Sequence, residues 1–267
     1  MGLRIANNIA ALNTHRWLSI ADANVAKSLE RLSSGYRINR AADDAAGLAI
    51  SSRFRAQIKS LEQASRNTTQ AIAMLQVAEG SLNEINNILT RLKELATQAA
   101  SDNTGTDRAR LNEEAQSLLA EIDRIAQSTK YSGTQLIYSG GSSWGVFNTL
   151  TFQVGYSNNS YDRIQVGFYD INTATLGVNN LSLGNLSDAQ SALAAIDQAI
   201  TSVAVARGGI GAAQNRLEYT ASNLAVTIEN YTSSESVIRD VDMAKEMTVF
   251  TKNQILVQSA TAMLAHA

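Results

Sequence analysis

Apolar residues in the first half of the chain recur at the three-and-four spacing of a helix that buries one face. Ile58, Leu61, Ile72 and Leu75 carry this rhythm, with Ser65 and Thr68 holding the same positions. It slips near Glu79 and Gly80 and resumes at Leu82, Ile85, Leu89, Leu92, Ala96 and Ala99. The pattern predicts an amphipathic helix over 43–100 with one change of phase. A polar turn cluster at 101–106 follows, then a second helix over 107–128 with Leu111, Ala115, Leu118, Ile122 and Ile125 on its apolar face. Thr106 or Asp107 is positioned to cap it. Two helices joined by a short polar turn are expected to fold back as an antiparallel pair.

The middle of the chain changes period. Leu150, Phe152 and Val154 alternate with polar residues, as do Ile164, Val166 and Phe168, around the loop GYSNNSYD. Period-two patterning on both sides of a polar loop predicts a β-hairpin over 149–168. Residues 170–187 read as irregular connection. Beyond them the helical period returns: Ile196, Val203, Ile210, Leu217, Leu224, Tyr231 and Ile238 are spaced by seven, flanked by Leu193, Ile200, Ala221 and Ile228. A helix over 188–238 is expected, roughly 65 Å long over the heptad run at 1.5 Å per residue. It needs the first-half helices, and other chains, to cover its face. The fold class expected is mainly α, a long antiparallel coiled-coil rod built from both termini, with a small β-hairpin in the middle.

Composition supports long helices. The 267 residues include no proline, where average usage of about 5% would give roughly 13, and proline breaks helix interiors. There is no cysteine, so there are no disulfides or thiolate metal sites. A net charge of -2 argues against nucleic acid as a partner, although residues 1–42 carry six Lys or Arg against two acidic residues. That excess reads as a solvated or subunit-facing surface. Asn7, Asn8, Asn13 and His15 interrupt any apolar signal-peptide core. Membrane insertion is not expected either: the uncharged stretch 253–267 is short and carries Gln254, Gln258 and Ser259. The expectation is a cytosolic chain, or one exported without a cleaved signal.

Catalytic chemistry is hard to assemble. The two histidines, His15 and His266, sit near opposite ends with no carboxylates at metal spacing, so no metal or cofactor is expected. Asp43 and Asp44, and Asp240 and Asp242, are paired acids beside Arg37 and Arg40, and beside Arg239 and Lys245. That setting points to ion pairs at a surface or between subunits, not to general acid–base work, which needs two carboxyls in different environments. Gly208, Gly209 and Gly211 suggest a phosphate loop, but Gln214 stands where the third glycine should be and no strand precedes it. They read instead as a thin spot where another backbone comes close, or as a local break. The chain is not expected to be an enzyme.

Two stretches carry a resemblance. Residues 5–13, IANNIAALN, and 32–51, LSSGYRINRAADDAAGLAIS, are very similar to the N-terminal signature of bacterial flagellins. Residues 214–219, QNRLEY, and 239–256, RDVDMAKEMTVFTKNQIL, resemble the C-terminal signature. The match covers roughly 5–137 and 190–265. The resemblance implies a self-polymerising filament subunit for swimming motility, found outside the cell in the flagellum. It implies an inner core of 1–42 plus 239–267, around it an outer rod of 43–238, and export through the flagellar secretion channel without a cleaved signal. It also implies an export chaperone on the C-terminal segment, a cap protein and hook-associated junction proteins as partners. The terminal stripes are short and detached from the main apolar mass, so 1–42 and 239–267 are expected to be mobile alone and to order on assembly.

Placed on this sequence, the inner-core contacts are expected at Leu29, Leu32, Ile38, Leu48, Ile50, Ile238, Val241, Ile255, Leu256, Met263 and Leu264. Arg37, Arg40, Asp43, Asp44, Arg239, Asp240 and Asp242 are the expected polar interface. Residues 91–95, RLKEL, resemble the patch that the vertebrate toll-like flagellin receptor recognises, with Arg91, Leu95 and Glu114 on the matching positions and Lys93 where an arginine is common. Read from the residues alone, Leu92 and Leu95 are core and the charges solvate the helix. Two departures stand out. The family usually carries large variable outer domains, where this chain has only 170–190, and it normally continues past MLAHA with a short tail. A hook–filament junction protein of the same architecture is the rival reading.

Overall fold

The computed structural model describes residues 8–101, 107–141 and 143–266. Ile5, Ala6 and Asn7 of the N-terminal motif, most of the 101–106 turn cluster, and Thr106 as a cap lie outside the described residues. The elements run α1 (Ile9–Ser34), α2 (Ala45–Ala99), α3 (Arg108–Ser128), β1 (Lys130–Tyr131), β2 (Thr134–Gln135), β3 (Val146–Gln153), β4 (Arg163–Tyr169), α4 (Leu186–Arg239) and α5 (Met243–His266). They form two compact units, Ser60–Val226 and Met1–Lys59 with Thr227–Ala267.

In Ser60–Val226, α2, α3, α4 and the hairpin share one core. On α2 the seam positions are Leu61, Ala64, Thr68, Ala71, Leu75, Ala78, Leu82, Ile85, Leu89, Leu92, Ala96 and Ala99, all buried, with Leu95 buried beside them. Their steps alternate three and four throughout, so the expected change of phase near Gly80 does not occur. Ala78 holds the seam there, and a small residue is easily passed over in a count of large apolar ones. The same holds on α4, where Ala192, Ala199, Ala206 and Ala213 alternate with Ile196, Val203, Ile210 and Leu217. Facing small and large residues let helices interdigitate at close range. On α3 the buried face is Leu111, Ala115, Leu119, Ile122 and Ala126, with Leu118 and Ile125 only partly covered. The expected stripe is therefore turned by about one residue.

Local chemistry explains the ends. Asp107 makes no capping hydrogen bond to α3. Arg108 instead donates to the carbonyls of Ala99 (3.0 Å) and Ser101 (2.8 Å), closing the C-terminus of α2. A small hairpin absent from the sequence reading joins β1 to β2 through Ser132 (φ 49) and Gly133 (φ 83), two left-handed residues that suit a tight hairpin turn. β3 and β4 pair antiparallel, with Leu150 opposite Val166 and Phe152 opposite Ile164. Ile164, Val166 and Phe168 point into the core. The hairpin is longer at its start than the 149–168 expected. α4 runs unbroken through Gly208, Gly209 and Gly211. A Cβ at Gly209 would lie 3.9 Å from the Tyr169 ring, and one at Gly208 or Gly211 would meet open space. The thin spot accepts a ring on one side; among the described residues no other backbone comes within 4 Å of those Cβ positions.

In the other unit, α1 and α5 pack on each other. Gly35 closes α1 in the left-handed conformation, its N–H donating to Arg31 at 2.9 Å. Asp44 caps α2 by accepting from the Gly47 N–H at 2.8 Å. A Cβ at Gly47 would crowd the capping Asp44 carboxylate and lie 2.8 Å from Ile38 Cδ1, so a larger residue there forces both side chains to move. The expected inner core of 1–42 and 239–267 ends at the turns. The compact unit continues into α2 and α4 because Phe54 packs edge-on against Tyr231, at 5.6 Å between ring centroids, and Arg55 pairs with Glu235 at 3.1 Å.

Candidate subunit interface

The seam of α1 and α5 is built from heptads. On α1 the covered positions are Ala11, Thr14, Leu18, Ala21, Val25, Ser28 and Leu32; on α5 they are Glu246, Phe250, Asn253, Val257, Ala260 and Leu264. Two helices cover only one face of each other, so apolar residues outside the seam stay in solvent. Leu29, Ile50, Ile255, Leu256 and Met263, all expected at an interface, are exposed, Met263 at 64%. Leu32, Leu48, Ile238, Val241 and Leu264 are half-buried. Ile38 is buried inside the chain at 1% exposure, so it is part of this chain's own core and has no surface to offer a neighbour.

Sequence reasoning missed the largest exposed apolar side chain of this surface. Trp17 is 62% exposed, and Ile9, Leu12 and Ile20 are exposed beside it on α1. Trp17 and Ile20 line a groove of about 360 Å³ between α1 and α5, closed on the other side by Leu256 and Met263. The signal was present as large apolar residues off the seam positions. Exposed apolar patches of this kind mark association surfaces.

The polar residues gather at the two turns. Tyr36 and Asp240 form an isolated antiparallel bridge. Arg37 N–H donates to the Arg239 carbonyl at 2.7 Å, and Val241 N–H to the Gly35 carbonyl at 3.0 Å. The Arg37 guanidinium donates to the Ile238 carbonyl, and that of Arg239 lies 4.4 Å over the Tyr36 ring. The acids do not pair with the arginines beside them in sequence. Asp43 takes Lys27 at 2.7 Å, and Arg40 goes to Glu30 at 3.0 Å. Asp44 and Asp242 cap α2 and α5, and Asp240 accepts from the Ser236 hydroxyl at 2.6 Å. Short-range backbone caps satisfy a carboxylate without the entropy cost of fixing a long basic side chain. The Lys27 hydrogen bond, helped by the Arg40 backbone N–H, lowers the Asp43 pKa to about 2.

In Ser60–Val226 the residues of the expected receptor patch divide. Leu95 is core at 1% exposure, as is Leu92. Arg91 stays exposed and donates to Glu114 at 2.9 and 3.0 Å and to Glu94 at 3.0 Å. Those bonds, the ones to Glu114 first, raise the Arg91 pKa. Lys93 pairs with Asp197 at 2.6 Å, joining α2 to α4.

The connection after β4 is far more ordered than its sequence suggests. Asp170 is 1% exposed and accepts from the backbone N–H groups of Ser139 and Gly141, both at 3.1 Å, and from the Ser139 hydroxyl. From α3, Asp123 accepts from Thr173 N–H and hydroxyl at 2.9 and 2.8 Å, Gln116 donates to the Leu181 carbonyl at 2.8 Å, and Asn112 accepts from Leu183 N–H at 2.9 Å. Side chains of α3 thus do the work of a neighbouring strand.

Among the described residues no group of three or more His, Cys, Asp or Glu could hold a metal ion, and no helix is long and apolar enough to cross a membrane. Residues 5–140 match the family model for the bacterial flagellin N-terminal helical region, and 193–267 match that for the C-terminal helical region. A flagellin of Halalkalibacterium halodurans is 43% identical over 98% of this chain and 95% of its own length. The flagellar filament 33 kDa core protein of Treponema phagedenis is 42% identical over 98% and 95%. The crystal structure of Bacillus cereus flagellin, 30% identical, superposes with a TM-score of 0.52 over 60% of this chain and 88% of its own. A structure described as that of a flagellar hook-associated protein from Vibrio parahaemolyticus reaches 0.60 over 74% of this chain and 99% of its own; at 13% identity it speaks for the fold alone.

Proposed function

The chain belongs to the bacterial flagellin family, and from that premise we propose that it is the subunit of a flagellar filament, polymerising through its terminal helices. The observation that carries this reading is the exposed apolar surface of α1 and α5, with Trp17, Ile20, Ile255, Leu256 and Met263 outside the seam those helices make with each other. A second copy of the same surface covers it, and the free energy of burying those side chains drives assembly. The half-buried Leu32, Leu48, Ile238, Val241 and Leu264 and the exposed Leu29 and Ile50 extend the contact. Arg37, Arg40, Asp43, Asp44, Arg239, Asp240 and Asp242 hold the turns at the edge of the inner core, 1–42 plus 239–267, which is mobile in the monomer and orders on assembly. The stretch 43–238 forms the surrounding layer.

In this reading the chain leaves the cell through the flagellar export channel without a cleaved signal and works in the extracellular filament. An export chaperone holds the C-terminal segment, hook-associated junction proteins precede it and a cap protein covers the growing end. The exposed Arg91 and Glu114 are the available parts of the surface a toll-like flagellin receptor would meet; Leu95, being buried, acts there only by supporting the helix. The rival, a hook–filament junction protein, is disfavoured because the full-length relatives carry the names flagellin and filament core protein.

Electron microscopy of the purified protein after adding short filament seeds tests the proposal. Long filaments of one diameter are the expected result. Persistent monomer in the presence of competent seeds would favour the junction reading.

A further inference from the structure

The α1·α5 seam contains one buried carboxylate. Glu246 Oε1 accepts from the Ser28 hydroxyl at 2.6 Å, and Oε2 lies 3.6 Å from the Arg31 guanidinium; both Ser28 and Glu246 are buried. Arg31 Nε is itself buried with no hydrogen-bond partner. Stepping seven residues in opposite directions from this contact places Ala21 opposite Asn253 and Thr14 opposite Ala260. All four of those residues line the same groove. Between these layers fall Val25 with Phe250, Leu18 with Val257, and Ala11 with Leu264.

Such a seam tolerates slippage almost everywhere. Displacing α5 by one heptad one way sets Val257 against Val25 and Leu264 against Leu18; the other way, it sets Phe250 against Leu18 and Val257 against Ala11. Apolar still meets apolar. Glu246 is the exception. One slip sets its carboxylate against Ala21, trading the Ser28 hydroxyl for a methyl and the Arg31 cation for the neutral amide of Asn24, and the other carries it out of the seam to the turn at Gly35 and leaves Ser28 facing Asn253. A buried carboxylate that loses its cation is strongly disfavoured. The Tyr36–Asp240 bridge closes the same end of the pair, with the Arg37 guanidinium on the Ile238 carbonyl and Arg239 over the Tyr36 ring; these contacts lie in the turns and do not read the heptads of either helix.

We propose that Glu246 is a positioning residue that selects the register of the α1·α5 pair, with Ser28 and Arg31 as the groups that recognise it. The register decides whether Trp17 and Met263 lie at the same level along the pair, so it also sets the surface presented for assembly. The inference concerns pairing within one chain and holds whether or not the chain polymerises.

The absence of cysteine makes the test clean. A native reporter carries Ala21→Cys with Asn253→Cys; the two slipped reporters carry Thr14→Cys with Asn253→Cys, and Ala21→Cys with Ala260→Cys. A heptad displaces a helix by about 10.5 Å, and a disulfide needs Cα atoms within about 7 Å, so each reporter answers for one register. Intramolecular cross-links are read on the full chain, free and after seeding. With Glu246 present, only the native reporter closes. Glu246→Leu is expected to bring up a slipped cross-link to at least a third of the native yield, and Glu246→Gln, which keeps the bond to Ser28, to restore native-only closure. Native-only closure in Glu246→Leu would overturn the proposal. So would loss of every cross-link, which would make Glu246 a general stabiliser and not a selector. Failure of the seeded samples to elongate would count against the filament reading alone, since the free-chain cross-links still report the register.

Discussion

In Ser60–Val226 the seam residues Leu75, Leu82, Ile85, Leu89 and Leu92 of α2 are completely covered, as are Ile122 of α3 and Ile196, Val203 and Leu217 of α4. In the unit that holds α1 and α5, the corresponding seam is only half-covered along most of its length, and its flanks expose Trp17, Ile20, Leu256 and Met263. The two regions use the same heptad grammar and similar residues. What separates them is the number of partners: α2 and α4 have α3 and a hairpin besides each other, while α1 and α5 have one helix each. A two-helix pair cannot bury both flanks, so its remaining apolar surface is left for another chain.

The sharpest way to break this contrast is to make the same kind of truncation on each side of it. Leu89→Ala, in the fully covered seam, is expected to cost about 2–5 kcal/mol, read as a lowered urea midpoint of the monomer. Met263→Ala, on the exposed flank, is expected to leave that midpoint unchanged and to slow elongation on seeds. Equal effects on the monomer would erase the distinction between the regions. Next in size is Asp170→Ala, which strands the N–H and the hydroxyl of Ser139. It is expected to cost about 2–4 kcal/mol, measured in the same unfolding experiment, with no change in the α1·α5 pair. Gly208→Ala adds a methyl to open space inside α4 and should stabilise Ser60–Val226 by about 1 kcal/mol. If the variant is more stable yet elongates poorly, that face of α4 is also a contact between copies.

The smallest effect is electrostatic and belongs to the turns. Asp43 has a pKa lowered to about 2 by Lys27 and the Arg40 N–H. Because the folded value lies below the unfolded one, its contribution is complete above the ordinary carboxylate range, near pH 4, and is lost as pH falls through about 2. Carbon-detected NMR titration of the Asp43 carboxyl should show the low midpoint, and Lys27→Ala should move it upward. The exposed Arg91–Glu114 pair is the control: Arg91→Ala should leave the unfolding midpoint where it was.

How much of this was legible in the sequence follows the same division. The α4 heptads from Ile196 to Leu224 and the alternation on β4 lie where a one-dimensional pattern places them, because burial there is decided by period. Ala71 and Ala78, unlike Ala96 and Ala99, drop out of a count that favours large residues, and their loss produces the false change of phase at Gly80. The order of 170–183 was invisible for another reason: it depends on Asn112, Gln116 and Asp123, some 50 to 70 residues away in sequence. At the candidate interface, Leu256 lies in the 239–256 motif and Met263 beyond it, and both are exposed; Trp17 falls outside every motif, and Ile38, inside one, is buried by the turn. The ion-pair partners were misjudged because adjacency in sequence does not show which aspartates are spent as helix caps.

The central claim is that α1 and α5 complete their burial on other copies of the chain. Hydrogen exchange of the α1 and α5 amides, in monomer and in seeded filament with α2 residues 75–92 as internal reference, tests it most directly. The account predicts fast exchange of both terminal helices in the monomer and protection approaching that of α2 in the filament. Strong protection of α1 and α5 already in the monomer, unchanged on assembly, would contradict it.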